Sequence, residues 1–256
     1  MGTDTSSRRR SLPFVGLLAV IVIYLAVIFL AHTVATSSLD GLDYGRFPDV
    51  NTIVRASVIP VGLSIVFCVA IIKVLGWWGP VLRHDPPVQR WVLLIPAALL
   101  GAVVAGTDYG TLSDKGTAFT VWLLVSSLLI GLGEELVFRG IAVAALRLNG
   151  RRETTVALWT SVLFGVAHAV NWFIDGGGNV LQIVTTMFMG WFLYLTRRAT
   201  RGLLVPVLVH GLWDFGLFTG NVTSPIYPGV AIFLVVEFAL IPVVILRRRR
   251  IEALAE

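Results

Sequence analysis

FTVWLLVSSLLIGLGEELVFRGIAVAALR, residues 119–147, is an apolar run long enough to cross a bilayer, yet Glu134, Glu135 and Arg139 interrupt its middle. About 20 apolar residues are needed to span the hydrocarbon core. An ionisable side chain at that depth costs roughly 2.5–3.5 kcal/mol on insertion scales, so such residues face a protein interior and mark function. Two further apolar runs carry ionisable groups: His168 ends Thr154–Val170, and His210 and Asp214 lie within Leu203–Phe218. Six residues of three chemical types on three runs predict one buried polar chamber. Carboxylates and imidazoles together are suited to activating water.

The rest of the chain supplies the membrane setting. It is 56% hydrophobic and only 14% charged, with a mean hydropathy of +0.85, which excludes an ordinary soluble domain. Apolar runs at Leu12–Ala31, Ala56–Trp77, Trp91–Ala105, Phe119–Arg147, Thr154–Val170, Val180–Leu195, Leu203–Phe218 and Val230–Leu246 predict an all-α, polytopic transmembrane helix bundle of about eight spans. The whole chain reads as a single integral-membrane domain, multi-pass in the cell membrane.

Charge gives the orientation. If the spans alternate, 16 of the 20 Lys and Arg fall on one side, among them Arg8–Arg10, Lys73, Arg147, Arg151, Arg152, Arg197, Arg198 and Arg247–Arg250. Arg46, Arg55 and Lys115 fall on the other side, and Arg139 lies within a span. Loops rich in Lys and Arg stay cytoplasmic, so both termini are predicted to be cytoplasmic. This bias explains the pI of 9.9 without a nucleic-acid partner.

The single Cys68 lies in an apolar run, which leaves no internal disulfide and no thiolate metal cluster. Arg8–Arg10 before an apolar run resembles a signal peptide, and Ser7-Arg8-Arg9 a twin-arginine cue. The run to Ala31 exceeds the usual 7–15-residue apolar core, so it reads as a retained anchor helix. Thr33–Arg55 is expected to be a long extracytoplasmic loop, and breaks are expected at Asp85-Pro86-Pro87 and Gly176–Gly178. Asn149-Gly150 reads as a left-handed helix cap. Chemistry-bearing residues concentrate between Gly131 and Asp214.

On a helix, residues four apart share a face, whereas neighbours diverge by about 100°. Glu135 and Arg139 are therefore expected to pair, leaving Glu134 free as a general base. Asn171 shares a face with His168 and is expected to help shape the site. His210 and Asp214, also four apart, suit either two ligands on one metal or an imidazole oriented by a carboxylate. Glu237 is a further intramembrane carboxylate, for which Lys73 is one candidate partner. Counting roughly 1.5 Å per residue from the marker arginines puts Glu134, His168, His210 and Asp214 within about two helical turns in depth.

Glu134-Glu135-x-x-x-Arg139, Phe164-x-x-x-His168 and His210-x-x-x-Asp214 resemble, in order and on successive spans, the three signature motifs of the CPBP intramembrane proteases. That family includes the type II CAAX prenyl endopeptidases and the bacteriocin-linked Abi proteins. The resemblance covers a protease core of about residues 119–218. It implies an endopeptidase of membrane-associated or lipid-proximal protein or peptide substrates. Glu134 would activate water with His168, His210 and residue 214 would stabilise the oxyanion, and Glu135 and Arg139 would shape the site. The prenyl endopeptidase branch tends to have Asn where this chain has Asp214, and an ionised Asp cannot donate a hydrogen bond. A metallo-type reading, with a divalent ion such as zinc at Glu134, His168, His210 and Asp214, stands beside a metal-free one. The helical zinc signature His-Glu-x-x-His is absent from the chain.

Two other function classes fit buried Glu, His and Asp: a proton-coupled transporter, and a catalytically silent immunity or scaffold membrane protein. A carrier would more often show internal repeats, and the sequence displays none.

Overall fold

The computed structural model describes residues 11–39, 47–83, 88–171, 180–221 and 228–252, and these are helical without any strand. Eight longer helices carry the fold. They are α1 (Phe14–Thr36), α2 (Val50–Leu75), α3 (Arg90–Gly106) and α4 (Tyr109–Leu148), then α5 (Glu153–Val170), α6 (Val180–Thr200), α7 (Leu204–Asn221) and α8 (Pro228–Glu252). Five of them, α1, α2, α4, α5 and α8, are long and apolar enough to cross a membrane, while α3 and α7 are shorter apolar helices. This is a multi-pass membrane protein.

The boundaries differ from the predicted ones where local chemistry overrides hydropathy. The expected loop Thr33–Arg55 is trimmed at both ends, because α1 continues to Thr36 and α2 starts at Val50. Asp49 starts α2 by accepting from the Thr52 amide at 2.7 Å, the usual N-cap arrangement. Asp108 does the same for α4, accepting from the Thr111 amide at 3.0 Å. That helix therefore begins ten residues before Phe119, with a break at Gly116, whose φ of 81° suits glycine. The expected cap at Asn149-Gly150 is present: Gly150 has φ 71°, and the Arg151 amide reaches the Leu146 carbonyl at 3.1 Å. The expected breaks at 85–87 and 176–178, like Arg8–Arg10, lie outside the described residues.

The centre of the molecule is the α4–α7 contact, with α5 and α6 forming a second tight pair. Both rest on small residues that let backbones approach, the usual device of membrane helices. A Cβ on Gly131 of α4 would lie 2.8 Å from the Val207 carbonyl oxygen of α7. One on Gly165 of α5 would lie 2.6 Å from the Ile183 carbonyl oxygen of α6. Outside this centre, α1 packs on α2 and α8 on α3.

Two of the marker arginines do not reach the surface. Arg197 and Arg198 continue α6 and are buried. Arg197 donates from Nη1 to the Arg139 carbonyl and from Nη2 to the Pro80 carbonyl, the latter at 3.0 Å. A buried guanidinium is tolerable only with such acceptors. Lys73 is exposed, whereas Glu237 is buried and its Oε1 has no hydrogen-bond partner among the described residues.

Candidate active site

Three helices deliver the polar residues, and each departs from regular α geometry near the site or approaches its neighbour unusually closely. In α4, the turn after Glu134 widens into a π-helix over Glu135–Ala142. Such segments recur at functional sites. In α5, the last turn tightens to 3-10 over His168–Val170. The His168 amide turns to the Gly165 carbonyl, and the Phe164 carbonyl contacts the His168 imidazole Nδ1 at 2.9 Å instead. In α7, Gly211 removes any side chain next to His210: a Cβ there would lie 2.9 Å from the Ser127 carbonyl oxygen of α4.

At the dry end, Arg139 Nη1 lies 2.8 Å from Glu135 Oε1, with both side chains fully buried. None of the guanidinium nitrogens has an aligned hydrogen-bond acceptor among the described residues, so the contact is chiefly ionic. The guanidinium also lies over the Phe164 ring, 4.0 Å from its centroid, a favourable cation–π arrangement. Gly190 of α6 makes the space, since a Cβ there would come within 3.2 Å of Arg139 Nη2.

Glu135 also reaches the second histidine. Its Oε1 is 3.0 Å from His210 Nδ1. A carboxylate only accepts, so Nδ1 carries the proton and Nε2 is turned the other way. His210 Nε2 stands 3.6 Å from Glu134 Oε2 and 3.6 Å from Asp214 Oδ2. His168 Nε2 completes the group, 4.0 Å from the same Glu134 oxygen. Phe164 packs edge-on against both imidazoles, with centroids at 4.7 and 5.6 Å.

The wet end is distinguishable by exposure. Glu134, His168 and Asp214 each keep 16–18% of their side-chain surface accessible, against 0% for Glu135 and Arg139. Glu134 Oε2 has no direct hydrogen-bond partner among the described residues. The gaps of 3.6–4.0 Å between these polar atoms exceed direct hydrogen-bond lengths.

The expected Glu135–Arg139 pair is therefore present, and the structure brings Glu134, His168, His210 and Asp214 into one group. Glu134 turns its Oε2 toward two imidazoles. Asn171 is buried one turn beyond His168, whose carbonyl its backbone amide reaches, and no side-chain hydrogen bond among the described residues joins it to Glu134, His168 or His210. Three contributors escaped the sequence: Gly190, Arg197 and the link from Glu135 to His210. Only Phe164 had a signal, its place four residues before His168. Among the described residues no three His, Cys, Asp or Glu side chains are arranged to hold one metal ion, and His210 Nδ1 is already committed to Glu135.

Comparison with known families follows the same residues. Residues 116–216 match the family described as type II CAAX prenyl endopeptidase Rce1-like. This segment is similar to that family. The match begins at the Gly116 break in α4, ends two residues beyond Asp214, and contains all three motifs. No curated protein and no solved structure matches the chain. The family is one of endopeptidases, in keeping with a hydrolase set among apolar helices.

Proposed function

We propose that this protein is an intramembrane endopeptidase, hydrolysing peptide bonds of membrane-associated or lipid-proximal protein or peptide substrates with water activated by Glu134 and His168. One observation carries the reading: Glu134 Oε2 and His168 Nε2 lie 4.0 Å apart on side chains that each keep 18% of their surface accessible. The Phe164 carbonyl can only accept, so His168 holds its proton on Nδ1 and presents a lone pair at Nε2. Glu134 presents another. A water donating one proton to each would sit between them within hydrogen-bonding reach of both, the geometry required of a general base.

Hydrolysis then runs with the chain's own groups. Glu134 takes a proton from the water as its oxygen attacks the scissile carbonyl carbon, giving a tetrahedral oxyanion. His210, held at Nδ1 by Glu135, turns Nε2 toward this space and donates to the oxyanion when the ring carries both protons. A preorganised donor of this kind is commonly worth about 2.7–4 kcal/mol in the transition state. Glu134 returns its proton to the leaving amine as the C–N bond breaks, releasing a carboxylic acid and an amine.

The chain is proposed to cross the membrane eight times with both termini cytoplasmic. With buried Arg197 and Arg198 set aside, Arg46, Arg55 and Lys115 remain the exceptions to the basic side. Reporter fusions after Arg250 and within residues 33–55 should report opposite sides.

The activity is tested with purified full-length protein in liposomes carrying a membrane-anchored peptide library, with new termini read by mass spectrometry. Cleavage by the native protein and none by Glu134→Gln is the expected result. Cleavage that persists in Glu134→Gln would remove Glu134 as the base.

A further inference from the structure

A second site lies on the other side of α5. Between α5 and α6 runs a groove of about 450 Å³, walled by Ala157, Leu158, Val162, Met187, Phe188 and Trp191. Its volume is in the range of small-molecule sites. None of the polar residues of the candidate active site lines it. Leu158, on its wall, is 61% exposed, so the groove opens sideways on the surface that a membrane helix turns to lipid.

One end of the groove is different. Glu153, Tyr194 and Arg198 line it there. Glu153 lies 15 residues before His168, roughly 22 Å along the helix, so this end is remote from the catalytic histidine. The carboxylate is already engaged: Arg147 holds Oε1 at 2.8 Å and Oε2 at 2.9 Å, and the Tyr194 hydroxyl donates to Oε2. The other charged group in the lining, the Arg198 guanidinium, is buried beside Glu153 and Tyr194. Immediately before Glu153, Arg151 and Arg152 are exposed. The polar mouth is thus cationic, and it caps an apolar slot that opens to the bilayer.

We infer that this groove binds an anionic phospholipid, with one acyl chain along the α5–α6 slot and the phosphate at the exposed Arg151 and Arg152 end. The mainly apolar walls suit an acyl chain, and the exposed Arg151 and Arg152 select the sign of the headgroup. Basic pockets between membrane helices bind anionic headgroups in this way. The inference is independent of the hydrolase reading, because its readout is lipid retention.

The test uses full-length protein extracted from vesicles holding equal phosphatidylglycerol and phosphatidylcholine, with retained lipid counted by native mass spectrometry. The native protein should keep phosphatidylglycerol in preference to phosphatidylcholine. Replacing Arg151 and Arg152 together by Gln should lower that preference by about fivefold per arginine. Leu158→Trp, at the exposed wall, should block retention of either lipid while circular dichroism and melting stay native. If that variant melts early, Ala157→Trp gives a second obstruction. Equal retention of the two lipids by the native protein would overturn the inference, as would undiminished retention with the slot obstructed. Displacement of the lipid by a farnesylated peptide would also overturn it, making the groove part of the substrate path.

Discussion

Gly131 and Gly211 meet so closely that a Cβ on Gly131 would lie 2.7 Å from the Gly211 backbone nitrogen. This contact sets the distance between Glu134 and Glu135 on one helix and His210 on the other. Gly211→Ala should therefore force α4 and α7 apart, costing about 1–3 kcal/mol as overpacking does, and should stretch the 3.0 Å contact between Glu135 and His210. Thermal denaturation in detergent checks the first expectation. Loss of cleavage exceeding that of a surface control such as Val235→Ala checks the second.

Glu134→Gln should lower turnover by about 10²–10⁴-fold, the usual contribution of a general base. Stability should be unchanged, since Glu134 Oε2 holds no hydrogen bond to be lost among the described residues. Single-turnover cleavage and a melting curve on the same preparation separate the two effects. A variant with both full activity and a native melt would contradict the assignment.

Glu135→Ala should be the harsher change to the fold. It leaves fully buried Arg139 without its carboxylate, and breaking a buried pair costs about 3–5 kcal/mol. The expected sign is a large drop in melting temperature or expression, compared directly with Glu134→Ala. Near-native stability would mean that the cation–π contact with Phe164 suffices to hold Arg139.

Asp214→Asn should retain activity. His210 is already oriented at Nδ1 by Glu135, so the ring needs no second anchor, and an amide can donate to an oxyanion where a carboxylate cannot. Cleavage assays with and without a chelator give the answer. A sharp fall in Asp214→Asn alone would make the anion necessary, and a fall reproduced by chelator in the native protein would make residue 214 a metal ligand.

Much of the candidate site was legible in the sequence because lipid makes ionisable residues conspicuous. Glu134, Glu135, Arg139, His168, His210 and Asp214 all stood out against apolar neighbours. Their mutual wiring was less legible. A fixed 100° per residue sends Glu134 and Glu135 in different directions, yet one imidazole reaches both, because its two nitrogens face opposite ways. The π turn at 135–142 and the 3-10 turn at 168–170 also leave no mark on hydropathy. The burial of Arg197 and Arg198 was hidden for a related reason. At the end of an apolar run, an arginine that snorkels to water and one that turns inward to backbone carbonyls read identically.

Arg197 also bears on how the molecule is assembled. Its acceptors, the carbonyls of Arg139 and Pro80, belong to chain synthesised 58 and 117 residues earlier. A helix entering the bilayer with a bare guanidinium has poor prospects there until both carbonyls are waiting for it. The order of translation therefore becomes an order of insertion, in which α6 is admitted as a guest of helices already seated. An internal deletion of the turn around Pro80 would be felt in the seating of α6, far along the chain from the lesion itself.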